Sequence, residues 1–141
     1  MKTHKFLMLM FASAAILLAG CEKDNTTQLD GNSSSQQTTT YTIEVSGVDV
    51  PSGMALEFVI FEYSASNEKL EVNRFNLTSS SMKRTYSANE RTEKVKIAWV
   101  ASVPSTGQSA TRWVQQVFYL DKGSNTIIKI TGNTTVGTTE P

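Results

Sequence analysis

The sequence predicts an all-β protein built as an antiparallel β-sandwich of six to seven strands. Between residues 41 and 131, several segments alternate apolar and polar residues with the period of two that is typical of half-buried strands. These segments recur at intervals of about 8–15 residues and are separated by turns rich in Gly, Pro, Ser and Asn. No long stretch of this region shows the helical period, so we expect strands alone.

The first strand begins at Tyr41, because Tyr41, Ile43 and Val45 alternate with polar residues. Residues 47–53 contain two glycines and a proline and predict a turn. The next segment, residues 54–63, is strongly apolar around the sequence FVIF, which indicates either a strand covered on both faces or one that changes its covered face.

The third strand, residues 69–77, has apolar residues on one face in its first half and on the other face in its second half. We therefore expect a β-bulge near Asn73 and Arg74, where the faces exchange. A serine run ends this strand, and a short fourth strand is predicted around residues 82–87.

The second half of the domain supplies the remaining strands. Residues 94–103 form the clearest amphipathic strand, and residues 110–120 form a long one in which either face suits a core. Residues 122–125 have hairpin composition and lead to a last strand at 126–131. This spacing is that of an immunoglobulin-like or transthyretin-like sandwich over residues 41–132, without the Cys…Trp…Cys pattern of antibody domains. The Thr-rich segment 133–141 is predicted to be a disordered tail.

The N-terminal segment has the three parts of a secretory signal: positive charge from Lys2 and Lys5, an apolar run over 6–18, and small residues. The apolar run is shorter than the about 20 residues that a transmembrane helix needs. Leu18-Ala19-Gly20-Cys21 resembles the lipobox of bacterial lipoproteins, which implies that residues 1–20 are removed and that Cys21 is lipidated. Several acyl chains on one residue give stable anchoring. The alternative is a secreted protein with a stray thiol.

The residue inventory excludes several kinds of chemistry. The whole chain has 13 basic and 13 acidic residues, so no strong field points to nucleic acid. Removing the first 20 of 141 residues leaves 121, with 11 basic and 13 acidic side chains, no histidine, and one cysteine committed to lipid. Cys–His and Ser–His–Asp nucleophiles, disulfides and Cys/His zinc sites are therefore not expected, and no cofactor is predicted.

Charged and then polar residues follow Cys21. Glu22-Lys23-Asp24 is similar to the short lysine-plus-acidic export signal of surface lipoproteins of the Bacteroidetes, which implies display on the outer leaflet of the outer membrane. The same three residues also suit the solvated start of a tether in a periplasm-facing protein. Residues 25–40 are almost entirely polar and are predicted to form a flexible coil with a reach of roughly 20–25 Å, so residues 21–40 comprise the lipidated cysteine and a flexible tether.

The acidic residues offer two kinds of site. Glu57 with Glu62, or Glu71 with Glu93, would suit a glycosidase if the two carboxyl groups lay about 5–10 Å apart across a sugar. Solvent-facing positions on strands are the competing interpretation. The Asp-x-Asp spacing of calcium loops does not occur in the sequence. We therefore predict no catalytic residue and no metal ligand.

Aromatic residues are the remaining candidates, since exposed rings stack on sugars and anchor protein interfaces. The rings considered are Trp99, Trp113, Tyr63, Tyr86 and Tyr119. Trp99 shares a face with Val95 and Ile97 and is assigned to the core. Trp113 follows a loop and is predicted near a strand end, where its ring would be partly buried. It is the one ligand-binding candidate, with packing as the alternative.

The sequence therefore predicts a lipid-anchored, non-catalytic interaction module of the cell envelope or cell surface that binds a protein or a glycan and no nucleic acid. Its layout is similar to that of small tethered β-sandwich lipoproteins of the Bacteroidetes. The alternative is a carbohydrate-active protein, either a glycan-binding accessory or a carboxylate-based hydrolase, which an exposed Trp113 beside carboxylates would favour.

Overall fold

The structure is a computed structural model that describes residues 37–141. The predicted leader, the lipidation of Cys21, the export signal and most of the tether lie outside the described residues. Within them, seven strands have seven residues or more and two have two residues. The strands are β1 Thr40–Ser46, β2 Ala55–Tyr63, β3 Lys69–Asn76, β4 Ser81–Ser87, β5 Lys94–Val103, β6 Gln108–Val114, β7 Phe118–Tyr119, β8 Asn125–Thr131 and β9 Val136–Gly137.

The strands form two sheets, which confirms the all-β sandwich. The smaller sheet has the order β4-β1-β8, and the larger has the order β3-β2-β5-β6-β9, with β7 also paired to β5. The pairing of β1 with β8 is parallel, from Thr40 opposite Asn125 to Ser46 opposite Thr131, so the smaller sheet is mixed. Residues 122–125 consequently lead from one sheet to the other and do not close a hairpin.

The core lies between the inner faces of the two sheets. Phe58 of β2 stacks on Phe75 of β3 at 5.1 Å between ring centroids and meets the edge of Trp99 of β5 at 5.8 Å, so the assignment of Trp99 to the core is confirmed. Burial of each large apolar side chain contributes about 1.5–3 kcal/mol. The largest buried apolar side chains are Tyr41, Ile43, Phe58, Ile60, Ile97, Ile128 and Ile130.

Strand β2 is covered on both faces, the first of the two predicted arrangements, but the bulge of β3 lies elsewhere than expected. The pairing of β2 with β3 is regular from Glu57 to Glu62 and shifts only between Glu62 and Tyr63, which pairs with Lys69. No bulge occurs at Asn73 and Arg74. The apparent exchange of faces arises because Asn73 points inward, where its amide is hydrogen-bonded, while Val72 points outward.

The predicted strand over residues 110–120 is two strands. Strand β6 pairs with Ala98–Val103 of β5, and β7 pairs with Lys94 and Val95, so residues 115–117 leave the ladder between them. Both strands direct the same parity inward, with Val114 and Phe118 at the core, so the apolar residues of the other parity, Trp113 and Tyr119, lie on the outer face of the sheet.

The C-terminal segment, residues 133–141, is ordered, and the prediction of a disordered tail is wrong. Strand β9 pairs with β6, with Gly137 opposite Trp113, and the Gln115 side-chain amide donates to the Thr139 carbonyl at 2.9 Å. Polar composition suggested disorder because it offers little surface to bury. The segment is held instead by backbone pairing to an open sheet edge and by polar side chains.

The described residues include no helix that is long and apolar enough to cross a membrane.

Candidate functional site

Trp113 lies on the outer face of the larger sheet, where its ring packs against Phe61. The ring centroids are 5.0 Å apart and the planes are tilted by 31°. The two rings belong to β6 and β2, which are separated by β5, and the β5 residue opposite Trp113 is Ala98. Because alanine is small, aromatic side chains from the flanking strands can meet above it. Trp113 is thus half-buried by packing and keeps part of its ring accessible.

Tyr63 and two lysines extend this patch toward the end of β2. The Lys69 ammonium lies 4.6 Å from the centroid of the Phe61 ring and 5.9 Å from that of Tyr63. The Lys96 ammonium lies 4.9 Å from the centroid of Tyr63. Cations at these distances are attracted to the negative face of an aromatic ring. We call Phe61, Tyr63, Lys69, Lys96 and Trp113 the aromatic–lysine cluster.

The carboxylate of Glu140 sits on this cluster. Its Oε1 accepts a hydrogen bond from the Tyr63 hydroxyl at 2.6 Å and one from the Lys96 ammonium at 3.0 Å. The Lys96 side chain is only 15% exposed, whereas that of Glu140 is 36% exposed. The ion pair of Lys83 with Glu44 on the smaller sheet is more open, with a lysine that is 64% exposed. Partial removal of water strengthens the Lys96 contact relative to such surface pairs.

The electrostatics of Glu140 and Tyr63 follow from this contact. Burial opposes ionisation of the Glu140 carboxyl, but hydrogen bonds from Tyr63 and Lys96 and the charges of Lys96 and Lys69 outweigh it, so its pKa is lowered. Burial, followed by the hydrogen bond to Glu140 and its negative charge, raises the pKa of the Tyr63 hydroxyl. The hydroxyl therefore stays a proton donor to a carboxylate at physiological pH.

The surroundings of the cluster are apolar and cationic. Val72 of β3 lies opposite Phe61 and is 40% exposed. Tyr119 of β7 lies opposite Lys94 and is 70% exposed. Large apolar side chains exposed together mark interaction surfaces more often than scattered ones do. The arrangement suits a ligand that carries both an anionic group and an apolar ring face.

Glu62 is the other notable carboxylate, and it is buried inside the sandwich. It accepts hydrogen bonds from the Tyr41 hydroxyl at 2.8 Å, the Asn73 amide at 3.2 Å, the Asn89 backbone at 2.9 Å and the Thr92 hydroxyl at 2.6 Å. Burial and then this carboxylate raise the pKa of Tyr41. The four donors belong to β1, β3 and the loop at 88–93, so the Glu62 side chain links these three elements to β2.

Of the candidate pairs of acids, Glu57 and Glu62 do not come together on one face. Glu57 and Glu62 lie on opposite faces of β2, and Glu57 forms an ion pair with Arg74 at 3.0 Å. Glu93 pairs with Lys122 at 3.2 Å. Among residues 37–141, no group of three or more acidic, histidine or cysteine side chains is placed to hold a metal ion.

Two open grooves adjoin β8, with volumes of ≈ 540 and ≈ 560 Å³. The first runs along Gln115, Gln116 and Phe118, and the second along Glu44 and Lys83. Neither groove includes Trp113.

The sequence identified Trp113 as the ligand candidate and named Tyr63 and Tyr119 among the aromatic rings, but it missed Phe61, Lys69, Lys96 and Glu140 as members of one site. Phe61 carries a signal in hindsight, since it is a large apolar residue on the outer parity of β2, whereas Lys96 follows the regular alternation of β5 and carries none. Glu140 carries none, because its position depends on the pairing of β9. Comparison of the chain with protein-family models, with curated proteins and with solved structures found no match.

Proposed function

We propose that this protein is a lipid-anchored, non-catalytic interaction module of the bacterial cell envelope, displayed at the cell surface by acyl chains on Cys21. The location is supported by Leu18-Ala19-Gly20-Cys21 behind a charged start and an apolar run, and by Glu22-Lys23-Asp24 after it. The polar residues 25–40 would hold the sandwich clear of the lipid headgroups.

The binding face is the outer side of the larger sheet, and its ligand is a glycan or a protein. The observation that carries this proposal is the half-buried Trp113 ring packed on Phe61, with Lys69 and Lys96 beside it and the exposed ring of Tyr119 on the same sheet. Aromatic rings combined with cations recognise sugars and anchor interfaces. Glu62 and Glu57 hold structural contacts, which supports binding over hydrolysis.

The location is tested by treating intact cells with protease. Digestion of the domain on intact cells is expected if the protein is displayed outside, and protection until lysis would place it in the periplasm. A Cys21→Ala variant should incorporate no labelled fatty acid. Labelled lipid on that variant would contradict the anchor.

The binding face is tested on a glycan array and by capture of surface proteins with the full chain. Trp113→Ala should abolish the binding that the unaltered protein shows. Ile127→Ala is the matched control, since Ile127 is 53% exposed on the smaller sheet. Turnover of a polysaccharide that a single Glu→Gln change abolishes would overturn the non-catalytic assignment in favour of a hydrolase.

A further inference from the structure

We propose that the aromatic–lysine cluster is a carboxylate-binding site for an acidic glycan built from uronic acids, and that Glu140 occupies it as an internal substitute for the ligand. This inference rests on the proposed function, because it names the ligand class for the same face. The C-terminal segment would then be a strap that closes the site when no ligand is bound.

The first support is the geometry of the Glu140 contact. Two donors, the Tyr63 hydroxyl and the Lys96 ammonium, converge on one carboxylate oxygen at 2.6 and 3.0 Å. Both donors belong to paired strands, β2 and β5, so strand pairing fixes their backbone positions. Among the described residues, Glu140 supplies the only side-chain acceptor within hydrogen-bonding distance of these two atoms. If Glu140 moves away, a nearly buried ammonium and a buried hydroxyl require another anion or water.

The second support is the light attachment of the strap. Up to Gly137 the segment is held by the two residues of β9, by the bond from the Gln115 backbone N–H to the Thr135 carbonyl and by the packing of Val136 against the core. Beyond Gly137, the hydrogen bonds of the described residues are those of the Gln115 amide to Thr139 and of Glu140, which is itself 36% exposed. The Lys96 side chain is therefore more buried than the Glu140 side chain that contacts it. A ligand carboxylate can therefore take the place of Glu140 with little change elsewhere in the sandwich.

The third support is the surface next to the two donors. Phe61 and Trp113 present adjoining rings, and Lys69 adds a second positive charge at 4.6 Å from the Phe61 centroid. A uronic acid combines an apolar ring face with a carboxylate in one unit, which matches a stacking surface beside a cationic donor pair. An acidic peptide carries its carboxylates on flexible side chains without a ring face, so the glycan is the better match.

The test uses the full chain in detergent, titrated with tetragalacturonate and, as a probe with the same rings but without charge, its methyl ester. The Glu140→Gln variant should bind tetragalacturonate about tenfold more tightly, because it no longer competes for its own site. The matched control is Glu44→Gln, which removes a lysine-paired glutamate from the other sheet and should change nothing. The methyl ester should bind at least tenfold more weakly than the acid.

Two further variants test the donors. Tyr63→Phe keeps the ring and its packing, and Lys96→Gln keeps most of the side-chain length. Each should weaken tetragalacturonate binding at least tenfold in the Glu140→Gln background. Unchanged binding in Tyr63→Phe, or no gain from Glu140→Gln, would overturn the proposal. Equal binding of a glutamate tetrapeptide would overturn the glycan assignment.

The two proposals fail in different ways. Binding of a neutral glycan that depends on Trp113 but not on Glu140, Tyr63 or Lys96 would refute the carboxylate site and leave the interaction module standing. If Trp113→Ala leaves all binding to glycans and surface proteins unchanged, the binding face is refuted and the carboxylate site with it.

Discussion

Tyr41 of β1 and Glu62 of β2 are joined by a hydrogen bond of 2.8 Å that crosses from the smaller sheet to the larger one. Both side chains are fully buried. The bond belongs to a network in which Asn73, Asn89 and Thr92 also donate to the Glu62 carboxylate. A buried carboxylate is costly unless all its acceptor positions are used, so the network fixes how the two sheets face each other.

Tyr41→Phe should lower the free energy of unfolding by about 1–3 kcal/mol, because it leaves a buried carboxylate short of one donor. Denaturant unfolding monitored by tryptophan fluorescence measures the change. Tyr86→Phe is the control, since the Tyr86 ring stacks on Tyr41 at 5.4 Å but is only half-buried. Equal decreases in the free energy of unfolding of the two variants would show that the hydrogen bond to Glu62 does not stabilise the fold.

Ala98→Leu should destabilise the sandwich by about 1–3 kcal/mol, because added methyl groups must displace the rings of Phe61 and Trp113 that meet above residue 98. The same change at Ala110, an exposed position on β6, should have little effect. Trp113 fluorescence should shift toward that of a solvated indole in the first variant only. An unshifted spectrum in Ala98→Leu would contradict the packing role of the small residue.

Gly132 and Gly137 are both closely packed, Gly132 against backbone and Gly137 against a side chain. A Cβ at Gly132 would lie 2.5 Å from the backbone oxygen of Gly47, whereas one at Gly137 would lie 2.7 Å from the side chain of Gln115. Gly132→Ala should therefore lower the free energy of unfolding by about 1–3 kcal/mol, since backbone must move. Gly137→Ala should cost less, because the Gln115 side chain can turn away and lose its bond to Thr139. The reverse order in thermal unfolding would contradict this reading.

The contact of Glu140 should depend on pH. Because its pKa is lowered from the ordinary 4.5, the folded protein binds this proton less readily than the unfolded chain does, so the contact stabilises the fold above that value. The stabilisation is lost as the pH falls through the lowered pKa. The charged and titratable groups that face the carboxylate are Tyr63, Lys96 and Lys69.

Hydrogen exchange of the amides at 137–140 measures this dependence. After correction for the intrinsic rate, exchange should be faster at a pH below the lowered pKa of Glu140 than at neutral pH, with small amplitude because the pair is partly exposed. Glu140→Gln should remove the pH dependence. A profile in Glu140→Gln that matches the unaltered chain would exclude Glu140 as the titrating group.

The period of two predicts β1, β2, β4 and β5 within a residue or two, because apolar residues predominate on their inward faces. It fails where one inward position is polar and satisfied, as Asn73 is, since its partners Tyr41 and Glu62 are distant in sequence. It also fails for β9, because Val136 and Gly137 pair with a strand edge that only the folded sheet creates. The candidate site was found through Trp113 alone for the same reason: its other members converge by tertiary pairing.

The parallel pairing of β1 with β8 has a mechanical consequence. Strand β1 follows directly on the segment predicted to lead to the membrane anchor, and it lies between β4 and β8 with seven paired positions on each side. A pull on that segment along the strand loads both ladders in shear, because their hydrogen bonds run across the direction of force. Many bonds must then yield together before β1 leaves the sheet.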